Sequence, residues 1–172
     1  AWQAAGLAAL PISVNVSAAQ FHRGDLVAEV KRVLEETGLE GRYLELELTE
    51  SMLMDKDVVG AALAGLRALG VKITIDDFGT GYSSLSYLKR LPIDKLKIDR
   101  SFIDDLGTDA DDRAIAIAII NLAKTLKLTA LAEGVERQEQ LDFLRAHGCD
   151  EFQGYLAGIP VPAEEFSAFS RE

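Results

Sequence analysis

Short runs of aliphatic and β-branched residues alternate along the chain with amphipathic stretches of helical period. Each run ends on a polar or acidic residue. Ile12-Ser13-Val14 leads to Asn15, then a helix from about Asp25 to Thr37. Tyr43-Leu44-Glu45-Leu46 leads to Glu47 and Glu50, then a helix from about Asp57 to Leu69. Val71 to Ile75 leads to the pair Asp76-Asp77, then a short helix over Leu85 to Leu91. Leu96-Lys97-Ile98 leads to Asp99 and a long helix from about Asp111 to Leu126. Leu128 to Ala132 leads to Glu133 and a helix from about Gln138 to His147, and Glu151-Phe152 leads to Gln153-Gly154-Tyr155. The pattern predicts six β–α units with no long structureless gap.

Strands and helices in strict alternation imply a parallel sheet covered by helices, and such sheets bind ligands at the carboxyl ends of their strands. Here those ends carry Asn15, Glu47, Asp76, Asp77, Asp99, Glu133 and Gln153. Two adjacent carboxylates at the mouth of a buried strand are costly to keep ionised unless cations neutralise them. The glycines of Phe78-Gly79-Thr80-Gly81 permit a tight, mobile loop beside that charge. The segment thus reads as a divalent-metal site with a gating loop. The same residues also suit solvated aspartates ahead of a helix capped by Ser83 or Ser84. A polar residue at every strand end favours the site. Oxygen-only donors favour Mg²⁺ or Mn²⁺ over zinc, and His22 and His147 stand apart from any ligand cluster.

Composition sets limits. With 172 residues, 48% of them hydrophobic, the chain suffices for one domain over 1–172 with a real core. A net charge of −10 argues against a DNA or RNA polymer as partner, which needs a basic footprint. Cys149 is the single cysteine, so no internal disulfide forms, which suits a reducing cytoplasm. No apolar stretch reaches the ~18 residues of a direct membrane segment. Ala1 to Leu10 lacks a basic leader and reads as the tail of a helix, with Trp2 as a packing residue.

Six blocks, taken together, resemble a known family. Asn15-Val16-Ser17, Glu47-Leu48-Thr49-Glu50, Asp76-Asp77-Phe78-Gly79-Thr80-Gly81-Tyr82-Ser83-Ser84-Leu85, Lys97-Ile98-Asp99, Glu133-Gly134-Val135-Glu136 and Gln153-Gly154-Tyr155 are similar, in order, to the signature of the EAL-domain cyclic di-GMP phosphodiesterases. The resemblance implies a modified TIM-type (β/α)₈ barrel that hydrolyses cyclic di-GMP to linear pGpG with two Mg²⁺ or Mn²⁺ ions. It implies Asn15, Glu47 and Asp76 as ligands of the first ion, with Asp76 bridging, and Asp77 as ligand of the second. It implies that Glu133 binds metal and orients or deprotonates the attacking water, that Lys97 holds that water and offsets phosphate charge, and that Gln153 contacts substrate or water. Glu50 resembles the residue that anchors the glycine-rich loop. Asp99 is expected either to pair with Lys97 or to sit near the second ion.

The departures matter as well. The Glu-Ala-Leu motif that names the family, and that carries a metal-binding glutamate, is absent, and six units are two short of a barrel that typically needs roughly 250 residues. The chain is therefore expected to be an N-terminally incomplete part of a longer protein, with sensory or cyclase domains attached, and cytoplasmic in itself or as part of a membrane-tethered protein. Ala157-Gly158-Ile159 stands where the family usually shows a bulkier, more polar run. Tyr82, Leu85, Tyr87 and Leu88 give the short helix an apolar face for a homodimer, although core packing is the expected use of at least half of them. A cyclic di-GMP receptor without turnover is the alternative to the enzyme, and an interaction domain that keeps only the fold is a third reading.

Overall fold

The computed structural model describes residues 10–23, 25–54, 56–81, 85–162 and 165–166. The helical tail expected over the first residues, the packing of Trp2, the caps at Ser83 and Ser84, and the side chains of His22 and Tyr82 lie outside the described residues.

Six strands form one sheet in sequence order, every neighbouring pair parallel. They are β1 (Ile12–Asn15), β2 (Leu44–Thr49), β3 (Lys72–Phe78), β4 (Lys95–Ile98), β5 (Thr129–Ala132) and β6 (Glu151–Phe152). The helices are α1 (Ala18–Arg23), α2 (Leu26–Thr37), α3 (Lys56–Ala68), α4 (Leu85–Leu88), α5 (Ser101–Asp104), α6 (Ala110–Leu126) and α7 (Gln138–His147), with 3₁₀ turns at Gly41–Tyr43 and Glu50–Met54. The result is an open half-barrel: strands line the concave side and helices cover the convex one. All six predicted β–α units are present. The short helix after β3 ends at Leu88 instead of Leu91, and α1 and α5, each under two turns, are additions the periodicity could not show.

Helix boundaries follow capping chemistry. Asp25 accepts the backbone N–H of Ala28 to open α2, and Asp109 accepts those of Asp111 and Asp112 to open α6. The α7 start is tied by the Gln140 side chain, which accepts the N–H groups of Glu136 and Arg137.

Strand alternation sorts the two sides of the sheet. Leu48, Ile73, Ile75, Leu96 and Ile98 are fully buried toward the helices, where they join Leu63, Leu66, Ile120 and Leu144 in one core. The intervening residues Glu45, Glu47, Thr74, Asp76, Lys95 and Lys97 face the concave side. Several of these meet across non-neighbouring strands, which only a curved sheet allows. The polar half of each strand is therefore gathered inside the arc, and its carboxyl end becomes the floor of a site.

Candidate active site

β3 carries the decisive local distortion. In a regular strand, Asp76 and Asp77 would point to opposite faces. Instead the register with β4 shifts between Ile75 and Phe78, and Asp77 adopts φ +53°, a left-handed conformation unusual for a residue with a side chain. The extra residue turns both aspartates inward. Carboxylate oxygens of Asp76, Asp77 and Glu133 lie within 4.8 Å of one another. Sequence reading placed the pair at the end of β3, whereas the aspartates lie inside the strand, which runs on to Phe78.

Lys97, on β4, fills the centre. Its Nζ lies 2.7 Å from Glu47 Oε2, 2.9 Å from Asp76 Oδ1 and 2.6 Å from Glu133 Oε1. One ammonium thus ties together carboxylates from β2, β3 and the end of β5. Burial alone lowers the affinity of Lys97 for its proton, but the hydrogen bonds it donates to Glu133, Glu47 and Asp76 outweigh this and raise its pKa, so it remains an ammonium. Glu133 is pushed up chiefly by burial, with Lys97 opposing and the neighbouring Asp76 and Glu47 adding to the rise. Asp77 is also raised, by burial first, then by Asp76 beside it and a hydrogen bond with Asp99.

Around this core the other predicted residues take distinct places. Gln153 Nε2 donates to Glu133 Oε1 at 2.5 Å. Asn15 ends β1 directly beside Glu47 in the parallel register and is exposed. Asp99 does not pair with Lys97: it accepts the backbone N–H of Ser101 at 2.9 Å and the Ser101 hydroxyl, and it faces Asp77. The expected pairing of Asp99 with Lys97 is absent, and Asp99 lies beside Asp77 instead. Glu50, buried at the end of β2, accepts the N–H groups of Gly79 at 3.0 Å and Gly81 at 3.2 Å. It thereby latches the loop that follows the aspartates. A Cβ on Gly81 would stand 3.0 Å from the Glu50 carboxyl carbon, so glycine there permits the close approach.

His147 caps its own helix, with Nδ1 2.8 Å from the Phe143 carbonyl oxygen, and takes no part in the site. Leu88 is buried and Tyr87 packs on the core, which leaves Leu85, 59% exposed, as the outward apolar residue of α4. An open cleft of about 230 Å³ adjoins the site, lined by Arg100, Glu133, Glu136, Gln153 and Tyr155 among others. Arg100 was not singled out from the sequence, and Tyr155 entered only as part of a block without a role of its own. Arg100 is held by Asp104, four residues on, and by Glu136, which only the fold brings close.

The donor set fits divalent cations. Four carboxylates, Glu47, Asp76, Asp77 and Glu133, face a single ammonium, so the site keeps surplus negative charge. All donors are oxygen, which suits Mg²⁺ or Mn²⁺.

Residues 1–160 match the family model of the EAL domain. The chain belongs to the EAL domain family. This EAL domain is 51% identical over 168 residues to the bifunctional diguanylate cyclase/cyclic di-GMP phosphodiesterase MucR of Pseudomonas aeruginosa, covering 97% of the chain and 24% of that protein. It is 49% identical to the cyclic di-GMP phosphodiesterase NbdA of the same organism, over 97% of the chain and 22% of that protein. It thus spans about a quarter of the length of these relatives. The solved phosphodiesterase of MucR in complex with cyclic di-GMP superposes with a TM-score of 0.92 at 51% identity, covering 96% of this EAL domain and 67% of that chain. The EAL domain of Mycobacterium smegmatis DcpA superposes at 0.91 with 40% identity, covering 99% and 77%.

Proposed function

We propose that the protein hydrolyses cyclic di-GMP to linear pGpG in a reaction that depends on two Mg²⁺ or Mn²⁺ ions. The observation that carries this reading is Lys97, bound to Glu47, Asp76 and Glu133 at once beside the inward-turned Asp77. A buried cluster of this charge has no structural use that an apolar core would not serve better.

Asn15, Glu47, Asp76, Asp77 and Glu133 are the residues that would hold the ions. When bound, the ions polarise the phosphoryl oxygens, acidify the attacking water and stabilise the leaving oxygen. The protein's own residues then divide the work. Glu133 accepts the proton of the attacking water. Lys97 orients that water and offsets charge that builds on the phosphate as the bond to the leaving oxygen breaks. Gln153 holds the Glu133 carboxylate in place through its 2.5 Å hydrogen bond. Glu50 keeps the loop beyond Asp77 closed over the outer edge. A homodimer in which the exposed Leu85 of α4 contributes to the contact belongs to the same reading, as do attached signalling domains and a cytoplasmic location.

The test is incubation of the full-length gene product with cyclic di-GMP and Mn²⁺ or Mg²⁺, followed by chromatographic separation of products. Metal-dependent pGpG is the expected result. Tight binding of cyclic di-GMP without product would make the protein a receptor and reduce the assigned residues to ligand-binding ones.

A further inference from the structure

A second polar layer lies directly beneath the site. Glu45, Thr74, Lys95 and Glu151 each precede by two residues a member of the site: Glu47, Asp76, Lys97 and Gln153. In β2, β3 and β4 the period of two places each pair on the same side of its strand, about 6.6 Å apart, and Gln153 directly follows β6. Lys95 Nζ lies 3.1 Å from Glu45 Oε1 and 2.7 Å from Glu151 Oε2. Thr74 donates its hydroxyl to Glu45 Oε1 at 2.6 Å. The side chains of Glu45 and Lys95 are only 6% and 14% exposed, whereas Glu151, at the β6 end of the layer, is 48% exposed. Neither β2 nor β6 is a neighbour of β4, because β3 and β5 lie between. Lys95 therefore spans the concave side from β2 to β6, as a tie across five strands.

The proposed chemistry makes no use of charge at this depth. Buried ion pairs contribute little to stability compared with apolar packing, so folding alone gives the layer no advantage. Its geometry, however, is coupled to the site. The strands it joins, β2 and β6, deliver Glu47 and Gln153, and Gln153 in turn holds Glu133.

We propose that Lys95 is a positioning residue whose ties to Glu45 and Glu151 set the curvature of the half-barrel, so that Glu47 and the Glu133–Gln153 pair converge on one divalent cation. The inference rests on the metal-dependent reading above. Three roles for Lys95 predict different signs. A direct electrostatic role predicts tighter cation binding once its positive charge is gone. A purely structural role predicts a lower melting temperature with unchanged cation affinity in the folded protein. A positioning role predicts weaker binding.

The experiment measures Mn²⁺ affinity of the full-length gene product by electron paramagnetic resonance of the free ion, which requires no turnover. The variants are Lys95→Met, Lys95→Arg, and the double substitution Glu45→Gln with Lys95→Met. The double variant leaves no orphaned charge at Glu45 and keeps the test open if Lys95→Met alone fails to fold. Both variants lacking the ammonium should bind Mn²⁺ more weakly by about tenfold or more, the usual cost of removing a residue that orients metal ligands. Arginine, which can engage both carboxylates, should recover most of the affinity. Wild-type or tighter Mn²⁺ binding by the folded double variant overturns the positioning role alone. Absence of Mn²⁺ binding by the unmodified protein overturns it together with the metal-dependent reading.

Discussion

The Nζ of Lys97 lies 2.6 Å from Glu133 Oε1, although Lys97 sits within β4 and Glu133 just past the end of β5. That contact makes the two partners unequal under mutation. Among the described residues, Lys97 is the one cation paired with Glu47, Asp76 and Glu133, whereas each of those carboxylates is one of three around it.

Lys97→Met should therefore destabilise the metal-free protein by about 3–5 kcal/mol, the cost of leaving buried charge uncompensated. Glu47→Gln leaves Lys97 with Asp76 and Glu133 and should cost about 1 kcal/mol or less. Urea denaturation of both variants checks the asymmetry. Equal losses would mean that Lys97 is not the centre of the charge network.

Asp77 invites the opposite outcome. Its left-handed backbone costs about 1–3 kcal/mol in a residue with a side chain, and its carboxylate repels Asp76. Asp77→Gly should raise the melting temperature of the metal-free protein while it abolishes metal-dependent activity. A drop in melting temperature would show that the bulge depends on the aspartate side chain.

Glu50→Gln keeps the shape of the side chain but removes the charge that accepts two loop N–H groups. Hydrogen bonds to charged acceptors are worth about 1.5–3 kcal/mol each. Hydrogen exchange at Gly79 and Gly81 should accelerate in this variant, with activity falling in parallel. Unchanged exchange would locate the hold on the loop elsewhere.

Burial pushes the Cys149 thiol up from 9.0 to about 11. At pH 8 its thiolate fraction should be roughly a hundredfold below that of an unburied cysteine, since each pKa unit is a factor of ten. Iodoacetamide labelling of the native protein should accordingly be slow at pH 8, rise steeply toward pH 11, and become fast at once in urea. Rapid native labelling at pH 8 would contradict the burial of the thiol.

Much of this was legible from the chain because strand and helix periods differ so clearly. The hydrophobic halves of β2 to β5 marked the core, and the polar residue closing each run marked the site. What stayed hidden depends on distance in space or on backbone detail. Adjacency of Asp76 and Asp77 suggests convergence, but alternation in a strand argues against it, and only the bulge with its left-handed residue resolves the conflict. Asp99 was expected to pair with Lys97 or to sit near the second ion, but it bonds Ser101 and faces Asp77 because the chain turns into α5 right after it. The lower layer did leave a trace: Glu45 and Glu47, like Lys95 and Lys97, repeat at a spacing of two among apolar residues. Such alternation reads as one polar face, and in an ordinary sheet that face would be solvated rather than folded inward.

Because Glu47 and Lys97 are separated by 50 residues, their contact exists only after β2, β3 and β4 have all found their register. Long loops must close before such a contact forms, and nothing local rewards a partial assembly. Catalytic competence should thus arrive all at once with the native state. During refolding, the recovered activity would count fully folded molecules, with no contribution from intermediates that have helices but no assembled arc.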